Sequence, residues 1–260
     1  GEEVQELVKS FNQMTDQLDE AFAMQSRFSV SAAHELRTPI AVLRTKLDVF
    51  KKKKRKQSEY DELVDTMETY IDRLSAIIAN LLELTETSEL GEVEDVSLDA
   101  VITTVVDDLE SVAQNNMVNV QVNTQIDAHS ETQSEAQNLT VKGNANLLYR
   151  AIYNLVENAI RYNHKGGSVN ITLETEGQEC LVTIADTGVG IAPEQRELVF
   201  EPFYRVNKSR SREFGGAGIG LSLVKTILKR HGASITVSEN DPQGSVFTIR
   251  IPLVDAIDSE

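Results

Sequence analysis

The chain of 260 residues has one cysteine, Cys180. A single thiol excludes an intrachain disulfide framework and a metal site built from several cysteines, and it suits a reducing cytosol. Long apolar runs are missing too. No stretch reaches the roughly 18–20 apolar residues of a membrane-spanning helix, and the best one, Ala76–Leu84, is interrupted by Asn80 and Glu83. No secretory leader pattern opens the sequence. Its first residue is Gly rather than Met, so the expectation is a piece of a longer chain, with any membrane segment upstream. Positive charge is scarce: 25 Lys and Arg stand against 41 Asp and Glu, a net charge of -16. That balance repels a polyanion unless a basic patch is segregated, so direct binding of nucleic acid is not expected.

What remains is globular in composition, with 40% hydrophobic and 25% charged residues. The length fits one large domain or two ordinary ones. The first 88 or so residues carry a helical period. Leu7, Phe11, Met14, Leu18, Phe22, Gln25 and Phe28 step by threes and fours, and the seam continues past Pro39 through Val42 and Leu47. The run Lys51–Lys56 is a solvated turn. Ser58 can cap a second helix, whose stripe is Tyr60, Leu63, Met67, Tyr70 or Ile71, Leu74, Ile77, Leu81 and Leu84. One hairpin leaves much of each seam wet, so the pattern predicts a dimer that closes a four-helix bundle.

After Gly91 the period changes. Helices are predicted over 98–112, 144–162 and 219–231. Strands are predicted over 118–126, 139–141, 168–174, 179–185, 234–238 and 245–251, with a polar loop at 128–138. This is a mixed α/β domain followed by a short acidic tail.

Four places carry chemistry. His34 lies on the first helix beside Glu35, with Thr38 one turn further on the same face. A neutral imidazole is a nucleophile near pH 7, and a carboxylate on one ring nitrogen leaves the other free to attack. Pro39 removes the N–H that would bond the Glu35 carbonyl, so a bend or weak turn is expected there. Asn154, Asn158 and Arg161 share one helix face, opposite Leu148, Ile152, Leu155, Val156 and Ala159; that face is either a solvated surface or a site offering amide oxygen to a cation. Asp186-Thr187-Gly188-Val189-Gly190 follows a strand. It is either a turn or a place where backbone passes close to a flat ligand while a carboxylate accepts from an amine. Gly215-Gly216-Ala217-Gly218-Ile219-Gly220-Leu221 opens a helix and can cradle phosphate with backbone N–H groups. It fits neither the dinucleotide fingerprint nor the P-loop. Before it, Phe200 and Phe203 look like exposed aromatics of a lid, or pins for a long loop.

These motifs resemble those of the sensor histidine kinases. The six residues His34-Glu35-Leu36-Arg37-Thr38-Pro39 match the family's H-box, and Tyr153–Tyr162 is similar to its N-box. Asp186–Gly190 resembles the first glycine box, Phe200–Arg205 the F-box, and Gly216, Gly218 and Gly220 the second glycine box. Ala217 stands where the family more often has Thr or Ser. Residues 1–28 look like the last helix of a HAMP linker. The motifs run in the family's order.

The resemblance implies a division into a linker helix (1–27), a dimerising phosphotransfer hairpin (28–90), an ATP-binding α/β sandwich of the gyrase, Hsp90, histidine kinase and MutL superfamily (95–253) and an acidic tail (254–260). It implies ATP and Mg²⁺ as cofactors, with Asn158 the metal ligand and Asn154 nearby. Arg161 would reach phosphate, Tyr162 would pack on the nucleotide and Asp186 would bond the adenine amine. Gly188, Gly190, Gly216, Gly218, Gly220 and Leu221 complete the pocket, and Arg205 would reach the γ-phosphate. The ATP-binding domain would swing until His34 attacks that phosphate with Glu35 as base or orienter. The partners implied are a second copy of the chain and a response regulator, whose aspartate takes the phosphoryl group. Thr38 would position water to dephosphorylate that regulator. The whole would be the cytoplasmic part of a bacterial plasma-membrane protein. A non-kinase ATPase of the superfamily would lack the His34-Glu35 helix, and a silent scaffold would have lost the His, an Asn or a glycine; none is lost here.

Overall fold

The computed structural model describes residues 2–53, 56–86, 91–124, 139–206 and 218–254. It divides into two compact units, Gly1–Leu81 and Leu82–Glu260. The first is a helical hairpin of α1 (Glu2–Phe50) and α2 (Gln57–Glu86). Pro39 does not end α1; it lies inside the helix and is buried. A missing N–H costs one intrahelical bond, and the apolar surface covered on either side offsets that loss. The second helix starts one residue before Ser58. The Glu59 carboxylate accepts from the Lys56 backbone N–H at 2.9 Å, which satisfies a donor at the helix start without a Ser58 cap. Leu63, Met67, Tyr70, Leu74, Ile77 and Leu81 form the covered stripe of α2. Tyr60, expected in that stripe, is exposed but packs edge-on against Phe50, with ring centroids 4.9 Å apart.

The second unit is a sandwich of helices on a mixed sheet. In chain order it contains β1 (Glu94–Ser97), α3 (Leu98–Asn116), β2 (Asn119–Thr124), β3 (Thr140–Gly143), α4 (Ala145–Arg161), β4 (Ser168–Glu176), β5 (Glu179–Asp186), α5 (Gly220–Arg230), β6 (Ser234–Glu239) and β7 (Ser245–Pro252). The five-stranded sheet runs β2-β4-β5-β7-β6, with only the β2–β4 pair parallel, and β1 pairs with β3 separately. Strand β1 was not expected; its one buried residue, Val96, gives no alternation to read. The predicted loop at 128–138 and the tail residues 255–260 lie outside the described residues.

Parity places the site. Along β5 the inward residues are Cys180, Val182, Ile184 and then Asp186. Along β7 they are Ser245, Phe247, Ile249 and Ile251. The period of two therefore carries a carboxylate and a hydroxyl to the core face at one end of the sheet, and the register pairs them, Asp186 with Ser245. Above this face α4 buries Leu148, Ala151, Ile152, Leu155, Val156, Ala159 and Ile160. That leaves its polar face outward.

His231 joins two helices. It follows α5, is buried, and its Nδ1–H donates to the Ile227 carbonyl at 2.8 Å. Its Nε2 accepts the Asn144 backbone N–H at 3.0 Å, and since that partner can only donate, the ring is neutral with its proton on Nδ1. The Asn144 side chain in turn caps α4 through the Leu147 N–H. Burial holds the His231 pKa below its ordinary value of 6.5. The unfolded chain therefore takes up the proton first on acidification, so this contribution is intact above about pH 6.5 and is lost as pH falls below it. In urea unfolding of the second unit, the stability lost between pH 7.5 and 5.5 is expected to be smaller in His231→Gln than in the wild type. Equal losses would show that the ring does not titrate with folding.

Candidate functional site

Asp186 is 6% exposed. Burial raises its pKa, while two hydrogen bonds pull the other way: Oδ1 accepts the N–H of Gly188 at 2.8 Å and of Ser245 at 3.2 Å. The remaining oxygen, Oδ2, has no hydrogen-bond partner among the described residues. Close packing explains the glycines. A Cβ on Gly188 would sit 2.4 Å from the Tyr162 carbonyl oxygen and 2.9 Å from Asp186 Oδ1. Gly190 has φ +74° and lies against the Gly244 carbonyl. The Tyr162 carbonyl also accepts the Val189 N–H at 3.2 Å. Thr187 fastens the motif from behind. Its hydroxyl donates to Asn163 Oδ1 at 3.1 Å and accepts the Ser168 N–H at 2.9 Å.

On α4, Asn154, Asn158 and Arg161 are all half-buried. Asn154 donates to the Arg150 carbonyl at 2.8 Å, and Arg161 pairs with Glu157 at 2.9 Å. The Asn158 carboxamide has no hydrogen-bond partner among the described residues. Helix α5 begins against this face: a Cβ on Gly220 would lie 2.7 Å from Asn154 Oδ1. The N-terminal turn of α5, with Leu221, thus meets the asparagine face of α4. Gly218, at φ +74°, accepts the Phe203 N–H at 2.7 Å, and a Cβ there would strike the Tyr204 carbonyl at 2.8 Å and approach Arg205. Gly216 lies outside the described residues.

One expectation needs correction. Phe200 is not an exposed aromatic; it is 7% exposed, ends a short 3₁₀ turn and meets Phe247 edge-on at 6.4 Å. Its contact with a strand far along the chain outweighs the polar, glycine-rich surroundings that suggested exposure. Phe203, half-buried at φ +65°, gives its backbone N–H to the Gly218 carbonyl at 2.7 Å.

In the first unit His34 is exposed and Glu35 half-buried. The Thr38 hydroxyl donates to the His34 carbonyl at 3.1 Å. The structure therefore groups Tyr162, Asp186, Gly188 and Gly190 at one end of the sheet, and Asn154, Gly218, Gly220 and Arg205 about the start of α5, while His34, Glu35 and Thr38 belong to the other unit. The residues missed from sequence are Asn163, Asn240, Gly244 and Ser245. Of these, only Ser245 carries a local signal, its inward place in the β7 alternation.

Among the described residues no group of three or more His, Cys, Asp or Glu could hold a metal ion. A cation here would take amide oxygen from Asn158 and its other ligands from phosphate and water, which is how Mg²⁺ commonly binds. Nor is any described helix long and apolar enough to cross a membrane.

Known proteins match both units. The His Kinase A (phospho-acceptor) domain matches residues 24–89, and the histidine kinase-, DNA gyrase B- and HSP90-like ATPase matches residues 143–255. The sensor histidine kinase RppB of a Synechocystis species is 37% identical over 235 residues, covering 90% of this chain and 50% of that protein. The chain spans about half the length of the curated relatives it matches. Among solved structures, the Acinetobacter baumannii histidine kinase AdeS superposes with a TM-score of 0.63 at 25% identity, over 85% of this chain and 98% of that one. The histidine kinase ThkA, solved in complex with the response regulator protein TrrA, shares the fold with a TM-score of 0.69 at 22% identity, over 90% of this chain and 63% of that one.

Proposed function

Because the chain belongs to the sensor histidine kinases, with a phospho-acceptor domain followed by their ATPase domain, we propose that it phosphorylates itself on His34 from ATP and passes the phosphoryl group to an aspartate of a response regulator. The observation that carries this reading is an exposed helical imidazole in the same chain as a nucleotide fold whose inward carboxylate has one oxygen left for a ligand.

Asp186 reads the base: with Oδ1 held by two backbone donors, Oδ2 accepts the adenine amine. Tyr162 packs on the nucleotide. Arg161, Asn154, Leu221 and the N–H groups of Gly218 and Gly220 line the phosphate end, to which the motif also assigns Gly216. Asn158 would hold Mg²⁺, which when bound neutralises charge on the β- and γ-phosphates. Asn158 fits because its carboxamide has no other partner among the described residues. The Nε2 lone pair of His34 forms the N–P bond as the bond from the γ-phosphorus to the ADP oxygen breaks. The proton on Nδ1 is oriented or taken by Glu35, and Arg205 offsets charge on the transferring group. For the regulator's dephosphorylation, Thr38 would position a water, its hydroxyl accepting from it while still donating to the His34 carbonyl. A response regulator as partner is supported by the fold shared with ThkA, which was solved in complex with one.

Homodimerisation is supported by α2. Val64, Ile71 and Ile78 recur every seven residues and are each about half exposed, a second apolar stripe that a twin hairpin would cover. We assign residues 1–27 to the linker helix, 28–90 to the phosphotransfer hairpin, 95–253 to the ATP-binding domain and 254–260 to the tail, with attachment to the plasma membrane through a segment upstream.

The test is a label chase. With γ-³²P-ATP the chain should acquire acid-labile label that moves to a receiver domain, and with the receiver aspartate replaced by Asn the label should stay on the chain. Acid-stable label, or ATP hydrolysis with no labelled intermediate, would contradict the proposal.

A further inference from the structure

Asp186 is held by more than its own glycine box. Two residues of the β6–β7 turn converge on its main-chain carbonyl oxygen. The Asn240 side-chain Nδ2 donates to it at 2.8 Å across 54 positions of sequence. Gly244, at φ +133°, lies so close that any Cβ there would overlap the same oxygen. The turn is closed by the Asn240 backbone N–H, which donates to the Gly244 carbonyl at 3.1 Å. The next residue, Ser245, gives its N–H to the Asp186 carboxylate. The turn therefore grips Asp186 at both its carbonyl and its side chain. It is itself tied to the stretch beyond the glycine box. Arg196 donates to the Glu239 carboxylate at 3.0 Å and to the Ile191 carbonyl at 3.4 Å.

The physics of the grip is directional. A carboxylate tells an amine from a hydrogen only if its open oxygen is aimed, because hydrogen bonds weaken steeply as they bend. The Asp186 side chain has two torsions, and its aim is fixed when both the carbonyl and Oδ1 are anchored. Two anchors on Oδ1 are backbone N–H groups that no substitution of their own side chains would remove. The anchor on the carbonyl is a side chain, and it is half-buried, where a lost partner is not fully replaced by water.

We propose that Asn240 is a positioning residue of the nucleotide-base subsite: its carboxamide fixes the Asp186 main chain so that the free carboxylate oxygen selects a purine bearing a 6-amino group. The inference rests on the reading of Asp186 as the base-recognising group. Asn240 acts through its bond to the Asp186 carbonyl.

The experiment compares binding of ATP and of purine riboside 5′-triphosphate, which lacks only the 6-amino group, to the full 260-residue chain. The wild type is expected to prefer ATP by at least about tenfold. In Asn240→Ala and in Asn240→Leu, close in size but without a donor, that preference is expected to fall by about fivefold or more, with affinity for the analogue nearly unchanged. A variant that keeps the wild-type preference, or that loses affinity for both nucleotides equally, overturns the inference while leaving Asp186 as the reader. A wild type with no preference overturns the reading of Asp186 itself. Should neither variant fold, the wild type still decides. Its Asn240 side-chain amide protons are expected to shift further in NMR spectra with ATP than with the analogue, and equal shifts overturn the proposal.

Discussion

Replacing His34 by Ala is expected to reduce labelling from γ-³²P-ATP to background while ATP affinity stays within about twofold of wild type. Three observations set this expectation. The imidazole is exposed, so its removal takes away no packing, and surface substitutions usually change stability by less than about 0.5 kcal/mol. It lies in the compact unit Gly1–Leu81, whereas Asp186 and Asn158 lie in the unit Leu82–Glu260, so the nucleotide fold is not altered. No other residue of the described hairpin pairs an exposed imidazole with a following carboxylate, as His34 and Glu35 do. Retained labelling would place the acceptor elsewhere. Lost ATP binding would mean that the substitution acts beyond the hairpin.

The second large effect is expected at Asn158. Asn158→Ala should weaken ATP binding in the presence of Mg²⁺ by at least about tenfold, and binding measured in EDTA much less. Loss of groups that merely orient a metal ligand costs about 10–100-fold in metal affinity, and loss of the ligand should cost no less. The substitution is otherwise mild. Asn158 is on the outward face of α4, its side chain holds no other described group, and Ala favours helix. Asn154 gives the internal contrast. Its amide is already bonded to the Arg150 carbonyl and its oxygen lies under Gly220, so Asn154→Ala should disturb the α4–α5 contact more than the response to Mg²⁺. Equal loss with and without Mg²⁺ in Asn158→Ala would remove the metal assignment.

The division into hairpin and α/β sandwich was legible because each half keeps one period over a long stretch. The seven buried residues of α4 and the alternation of β4, β5 and β7 follow directly from that patterning. Asp186 could be read both from its motif and from parity, as the last inward position of β5. The rest depended on tertiary pairing. Strand β1 has four residues and one buried side chain, and only its pairing with β3 makes it a strand. Phe200 sits among polar and glycine residues that suggest exposure, yet Phe247 covers its edge. Ser58 looked like a cap, but Glu59 supplies the carboxylate that starts α2. Asn240 reads as one residue of an ordinary turn, and its bond to the Asp186 carbonyl is a consequence of the register between β5 and β7.

The central claim is that one imidazole of the hairpin receives the γ-phosphoryl group. Mass spectrometry of the freshly reacted chain, digested and fragmented at neutral to alkaline pH, tests it most directly. One added phosphoryl group on the peptide containing Ser31 to Arg37, located to His34 by fragmentation, is the expected result. The same mass on another residue, or none after ATP turnover, would contradict it.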